Sequence, residues 1–268
     1  MAGPTIALIT GASSGIGEEA ARRLAREPQT ALVLVARRED RLRALAGSLG
    51  AGATWVAADL VADDAPQRIV DHLREHHDGR VTLLVNNAGS AWRARFADGG
   101  YENVHKHMAL NFDAQVRLTE ALLPLLRASA PSAIVNVGST AGRTARAGSA
   151  AYSASKAALA AWSDGLYLEE REHGVHVGLV QPGFIQTEGF PAEELRAKAA
   201  TRWIVSTPDR VAEAIVDAGL RGKAERYVPR PYGLAASMRV LAPALTRRVL
   251  SGGGAAAFTT RTGADANS

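Results

Sequence analysis

The sequence predicts an α/β chain built on one doubly wound, mostly parallel, seven-stranded sheet. Three observations lead to it. Short apolar runs alternate with helical stripes over residues 5–228, a glycine-rich turn follows the first run, and the polar residues of interest cluster just after the runs. A strand buried on both faces reads as an unbroken apolar run, so the alternation implies a parallel sheet covered by helices. Such a sheet takes its ligand at the carboxyl ends of the strands.

Residues 5–9 form the first apolar run, and 18–26 follow with Ala20, Ala21 and Leu24 at helical spacing. Residues 31–36 are a β-rich run ending in Arg37-Arg38, and 39–49 carry Leu42, Leu45 and Leu49 on one stripe. A third strand at 54–57 closes on Asp59, a third helix spans 62–75, and a fourth strand at 81–85 ends in Asn86-Asn87-Ala88-Gly89. A long helical region covers 101–127, where Pro124 predicts a kink. Strand five is 132–137, and a helix at 150–173 carries Tyr152 and Lys156 four residues apart, hence on one face. Strand six, 175–180, stops at Pro182-Gly183. Thr207-Pro208-Asp209 reads as the cap and first turn of a helix bearing Val211, Ile215 and Leu220, before a last strand at 226–228.

One catalytic domain over 1–230 is expected at this length, with 184–207 as a flap over a pocket. A helical extension, 231–250, repeats Met238, Leu241, Leu245 and Val249 and is interrupted by Pro243. It could pack on the body, pair with another subunit or make peripheral contact with a membrane surface, the first two being favoured. The tail 251–268 is small and polar, which predicts disorder.

Composition narrows the function. Hydrophobic residues make up 47% and charged residues 22%, and the net charge of +4 comes from scattered arginines. No nucleic-acid surface is expected from that. With no cysteine there are no disulfides, thiolate metal sites or Cys nucleophile. There is no apolar stretch of membrane-spanning length and no signal-peptide pattern, so a cytoplasmic protein is expected. His72, His76 and His77 share a helix with polar neighbours and no acidic cluster, which reads as a solvated face with no metal.

Two motifs carry chemistry. Glycines at 11, 15 and 17 let backbone approach a pyrophosphate resting on a helix N-terminus. A free tyrosine titrates near ~10, and a lysine charge beside it favours its anion. Thr10 to Gly17 fits TGxxxGxG, Asn86 to Gly89 is NNAG, and Tyr152 to Lys156 is YxxxK. In these three motifs, in this order, the chain resembles the classical short-chain dehydrogenase/reductase family over about residues 5–230.

That resemblance implies a Rossmann-type domain and a tetrad of Asn111, Ser139, Tyr152 and Lys156. Tyr152 would exchange a proton with a carbonyl or hydroxyl oxygen that Ser139 also bonds. Lys156 would hold the nicotinamide ribose and lower the tyrosine's pKa, and Asn111 would keep a water linking Lys156 to solvent. It also implies cofactor contacts from Gly11, Ser13, Ser14, Gly15, Ile16 and Gly17 in the turn. Asp59 and Leu60 would lie at the adenine, Asn87, Ala88 and Gly89 after strand four, and Pro182, Gly183, Ile185 and Thr187 toward the nicotinamide. Taken singly, Ser139 could be a loop serine, Asn111 a helix residue bonding backbone, and Asp59 a helix cap.

Strand two ends without an acid and with two cations, which suits the extra phosphate of NADP(H), with Arg37 the first choice and Arg38 the second. Trp92, Phe96, Phe184, Phe190 and Trp203 are candidates for the wall of a substrate pocket and imply a rather apolar ketone, aldehyde or alcohol. A homodimer or homotetramer is expected, using faces around 118–126 and 157–161. Two alternatives stay open: epimerisation or dehydration at the same site, and a nonenzymatic NADP-binding sensor or partner protein.

Overall fold

The computed structural model describes residues 4–50, 52–186 and 205–251. Runs rich in Val, Ile and Leu, whose side chains fit a pleated surface, become β1 (Thr5–Thr10), β2 (Thr30–Ala36), β3 (Ala53–Ala57), β4 (Leu83–Asn86), β5 (Ser132–Val137) and β6 (Val175–Pro182). Two-residue strands β7 (Phe184–Ile185) and β8 (Val205–Ser206) pair with each other, and β9 (Glu225–Val228) closes the main sheet. The order is β3-β2-β1-β4-β5-β6-β9, all parallel. The order in which successive strands are added reverses between β1 and β4, which opens a crevice at their carboxyl ends.

The helices are α1 (Gly15–Leu24), α2 (Glu39–Leu49), α3 (Ala65–His77), α4 (Phe96–Met108), α5 (Ala114–Ala128), α6 (Ala150–Glu170), α7 (Pro208–Gly219), α8 (Tyr232–Leu241) and α9 (Pro243–Ser251). Side chains alternate across the sheet. Ala7 and Ile9 join one core with α1, α2 and α7, while Ile6 and Leu8 join another with α3, α5 and α6. Leu8 and Ile9 are both fully buried. Truncating either to alanine would cost about 2–5 kcal/mol.

The long helix expected at 101–127 is divided, and not where the proline predicts. A π-helical turn, Ala109–Asp113, separates α4 from α5 and holds Asn111. Pro124 lies inside α5. Leu118, Leu122 and Leu126 pin that helix to the sheet, so packing outweighs the one hydrogen bond the proline forfeits. Because those leucines are core, they are unavailable to the subunit interface expected around 118–126; Leu159 and Ala160 in the second face are buried too.

Two of the three histidines do more than form a solvated face. Thr54 Oγ1 on β3 lies 3.0 Å from both His72 Nε2 and His77 Nε2 on α3, tying helix to strand. Thr207 stands at the N-cap of α7, yet its side chain makes no cap bond among the described residues. Pro243 starts α9, so the extension is two short helices. Ala236 is buried, but Leu234, Val240, Leu241, Leu245 and Val249 are exposed, and packing on the body accounts for little of that apolar face. Most of the expected flap (187–204), with Thr187, Phe190 and Trp203, and the tail from 252 lie outside the described residues. No helix among the described residues is long and apolar enough to cross a membrane.

Candidate active site

The crevice is assembled by strand ends. At the β1 end the chain turns through Gly11 and Gly15, at φ 67° and 59°, conformations that suit glycine. Gly17 is required for a different reason: a Cβ there would stand 2.3 Å from the Gly11 carbonyl oxygen. Thr10 Oγ1 accepts from the N–H groups of Asn87 (2.9 Å) and Ala88 (3.0 Å), and Asn87 Nδ2 donates to Thr10 O (2.9 Å). The glycine motif and NNAG are thus joined across the point where strand order reverses.

Asn86 plays a different part from Asn87. It is fully buried and donates to Thr119 Oγ1 and Asn136 Oδ1, each at 2.9 Å, and Asn136 passes the network to Ser163 on α6. This fixes α5 and α6 against β4 and β5. On α6, Tyr152 and Lys156 face one cavity of about 550 Å³, which also meets Gly11, Arg37, Asp59 and Ser139.

Ser139 follows β5. Its N–H donates to Gln181 Oε1 (2.8 Å), and its hydroxyl caps Ala141 N (3.1 Å) and contacts the Tyr152 phenol. Burial pushes the Tyr152 phenol above its ordinary value, while the Ser139 hydroxyl and the Arg93 guanidinium push it back down. Lys156 Nζ donates to the Val137 carbonyl at 2.8 Å, and burial pushes the lysine itself down to about 8. Asn111 is likewise committed: Oδ1 accepts from Ser90 N (2.9 Å), and Nδ2 donates to Ser90 O (3.0 Å) and Ser155 Oγ (3.1 Å).

The profile of the short chain dehydrogenase family matches residues 5–197. The chain belongs to that family. Relatives point the same way. Sulfoacetaldehyde reductase 2 of Chromohalobacter salexigens is 40% identical over 68% of this chain and 73% of its own. The ketoacyl reductase HetN of Nostoc is 33% identical over 81% and 76%. An uncharacterised oxidoreductase of Staphylococcus epidermidis is 32% identical over 68% and 78%.

Members of the short chain dehydrogenase family bind a nicotinamide dinucleotide, and the residues here fit one. At the N-terminus of α1, Ser14 makes no cap bond among the described residues, so the first N–H groups are left for an anion. A Cβ on Gly89 would fall 2.9 Å from Asn111 Oδ1 and 3.4 Å from Lys156 Nζ, so this stretch of crevice floor has no room for a side chain. At the β2 end, Arg38 folds over the turn, donating to Ser14 Oγ (2.8 Å) and Ser13 Oγ (3.0 Å). Arg37 is exposed at the crevice, and its guanidinium has no partner among the described residues.

Ser13, Ile16, Leu60, Pro182, Gly183 and Ile185 also line the dehydrogenase crevice, whereas Gly17 lies behind it. Asp59 lines it too and is not a helix cap: Oδ1 accepts from Val61 N at 3.2 Å, and α3 starts later, after Asp64. Of the aromatic candidates, Trp92 and Phe184 reach the crevice, while Phe96 is 71% exposed away from it.

Four residues escaped the sequence reading. Gln181 positions Ser139 from the neighbouring strand. Buried His107 accepts from Trp92 N (3.0 Å) at Nε2, so Nδ1 donates to Asn103 O (2.7 Å), and its ring stands edge-on 6.0 Å from Tyr152. Arg93 and Arg146 stand at the tyrosine end of the crevice. Only Gln181 had a local signal, a polar residue inside an apolar strand next to Pro182-Gly183.

Proposed function

We propose that this dehydrogenase interconverts a carbonyl and an alcohol on a small molecule with NADP(H), and that Asn111, Ser139, Tyr152 and Lys156 are its working residues. The observation that supports it most is Tyr152, Ser139 and Lys156 meeting one crevice that also holds an uncapped helix N-terminus and two strand-end arginines. When bound, the nicotinamide supplies or accepts the hydride.

In the reducing direction, negative charge develops on the carbonyl oxygen. Tyr152 donates its phenolic proton to that oxygen, and Ser139 donates a hydrogen bond to it. Burial keeps the phenol protonated, and the tyrosinate left after proton transfer is stabilised by the Ser139 hydroxyl and the Arg93 charge. Lys156, fixed by Val137 O beside Gly89, holds the nicotinamide ribose. Asn111 acts one step back, fastening Ser90 in the loop after NNAG to α6 through Ser155. Gly11 to Gly17 hold the pyrophosphate, and Asp59 and Leu60 flank the adenine. Arg37 takes the extra phosphate, with Arg38 holding the turn beside it.

The carbon skeleton of the substrate lies against Trp92 and Phe184. Sulfoacetaldehyde reductase 2 makes short aldehydes the first compounds to test. The experiment is NADPH oxidation over a panel of ketones and aldehydes, with Tyr152→Phe as control. Carbonyl-dependent oxidation that the variant loses by about 10²–10⁴-fold is the expected result. Full activity in the variant would overturn the role of Tyr152.

A further inference from the structure

The tyrosine end of the crevice carries more positive charge than proton transfer needs. Arg146, in the loop leading to α6, and Arg93, in the loop after NNAG, both line it, and among the described residues no Asp or Glu lines the crevice apart from Asp59 at the β3 end. The Arg146 guanidinium carbon lies 4.3 Å from the centre of the Phe184 ring. A guanidinium lying over an aromatic face keeps its in-plane N–H donors available for a planar or tetrahedral oxyanion. Among the described residues, Arg146 makes no side-chain hydrogen bond and no ion pair. Burial and the neighbouring Arg93 charge both disfavour its charge, while Tyr232 favours it. Tyr232 is itself anchored, its ring 2.4 Å from where a Cβ on Gly183 would stand. A half-buried guanidinium with no counter-charge among the described residues is stabilised by an anion that reaches it.

We propose that the substrate bears an oxyanion, a carboxylate or sulfonate, on the far side of its carbonyl from the cofactor, and that Arg146 binds it. This rests on the carbonyl-reductase reading and adds to it the chemical class of the substrate. An apolar stem against Trp92 and Phe184 and an anionic end at Arg146 describe a short oxo-acid. The dinucleotide phosphates are accounted for elsewhere, by the glycine turn and the β2-end arginines.

The test uses the full-length enzyme with NADPH and matched pairs: succinic semialdehyde and levulinate, each against its methyl ester. The acid is expected to exceed its ester in kcat/KM by about ten-fold or more, the scale of one charge-assisted contact. In Arg146→Met that ratio falls by about ten-fold or more, and Arg146→Lys restores part of it. Binding to the enzyme–NADP+ complex, which has no hydride to transfer to a carbonyl, followed by thermal shift, gives the same order without turnover. Binding of the acids with no carbonyl-dependent NADPH oxidation would sink the reductase reading and leave the oxyanion site standing. Turnover of acid and ester with equal kcat/KM, or binding of none of the four, would overturn the oxyanion site. A variant whose NADPH affinity falls as much as its affinity for the acid would assign Arg146 to the cofactor and also overturn it.

Discussion

At the scale of single residues, the site divides by how far apart in sequence its parts lie. Tyr152 and Lys156 are legible because one helical turn puts them on one face, and the glycines because a strand, a turn and a helix demand them. Cofactor choice is the residue-scale claim most open to test. Arg37 is exposed at the end of β2 without a partner among the described residues, while Arg38 is occupied by Ser13 and Ser14. Arg37→Asp is expected to lower the preference for NADPH over NADH by about ten-fold or more, measured as the ratio of kcat/KM, since it replaces a phosphate donor with a like charge. An unchanged ratio would remove Arg37 from the phosphate site. What sequence could not reveal at this scale depends on tertiary contact. Gln181 is 42 residues from Ser139 and meets it only because β5 and β6 are neighbours. Arg146 looked like one of many arginines until its loop was placed over Phe184.

Among the elements, strands were easier to find than helix interruptions. An apolar run bounded by glycine or polar residues has few alternatives. The segment Ala109–Asp113 keeps the composition of its flanks, so nothing local marks the π turn, although that turn brings Asn111 to Ser90 and Ser155. Pro124 misled for the converse reason, as a strong local signal overruled by buried leucines.

The contact between α3 and β3 makes a pH prediction. Burial, with the charges of His76 and His77, pushes His72 down to about 4 from 6.5, against the weaker pull of Glu75; burial and His76 also push His77 down, against Asp78. The folded form therefore favours neutral rings, and the unfolded chain takes up protons first as pH falls. Stability is lost between pH 6.5 and about 4. His72→Gln, which keeps a partner for Thr54, is expected to flatten the fall of Tm across that window. An equal fall in both proteins would dismiss the histidine latch.

For the molecule as a whole, the parallel order and the reversal between β1 and β4 bring every motif to one edge of the sheet, and the apolar runs were enough to expect that. Assembly was not legible in the same way. The leucines at 118, 122 and 126 belong to the core, because a helix stripe on its own does not say which neighbour covers it. The exposed side chains of α8 and α9 are a better surface for a second copy of the chain, and self-association as a dimer or tetramer is expected in sedimentation velocity. A purely monomeric boundary at micromolar concentration would contradict it.

The central claim is that Tyr152 gives its proton to a carbonyl oxygen while NADPH is consumed. The direct measurement is carbonyl-dependent NADPH oxidation by the purified protein and by Tyr152→Phe, with NADPH affinity determined for both. The expected result is activity in the first, a loss of about 10²–10⁴-fold in the second and comparable cofactor binding in both. NADPH binding with no oxidation in the presence of any carbonyl, or full activity in the variant, would contradict it.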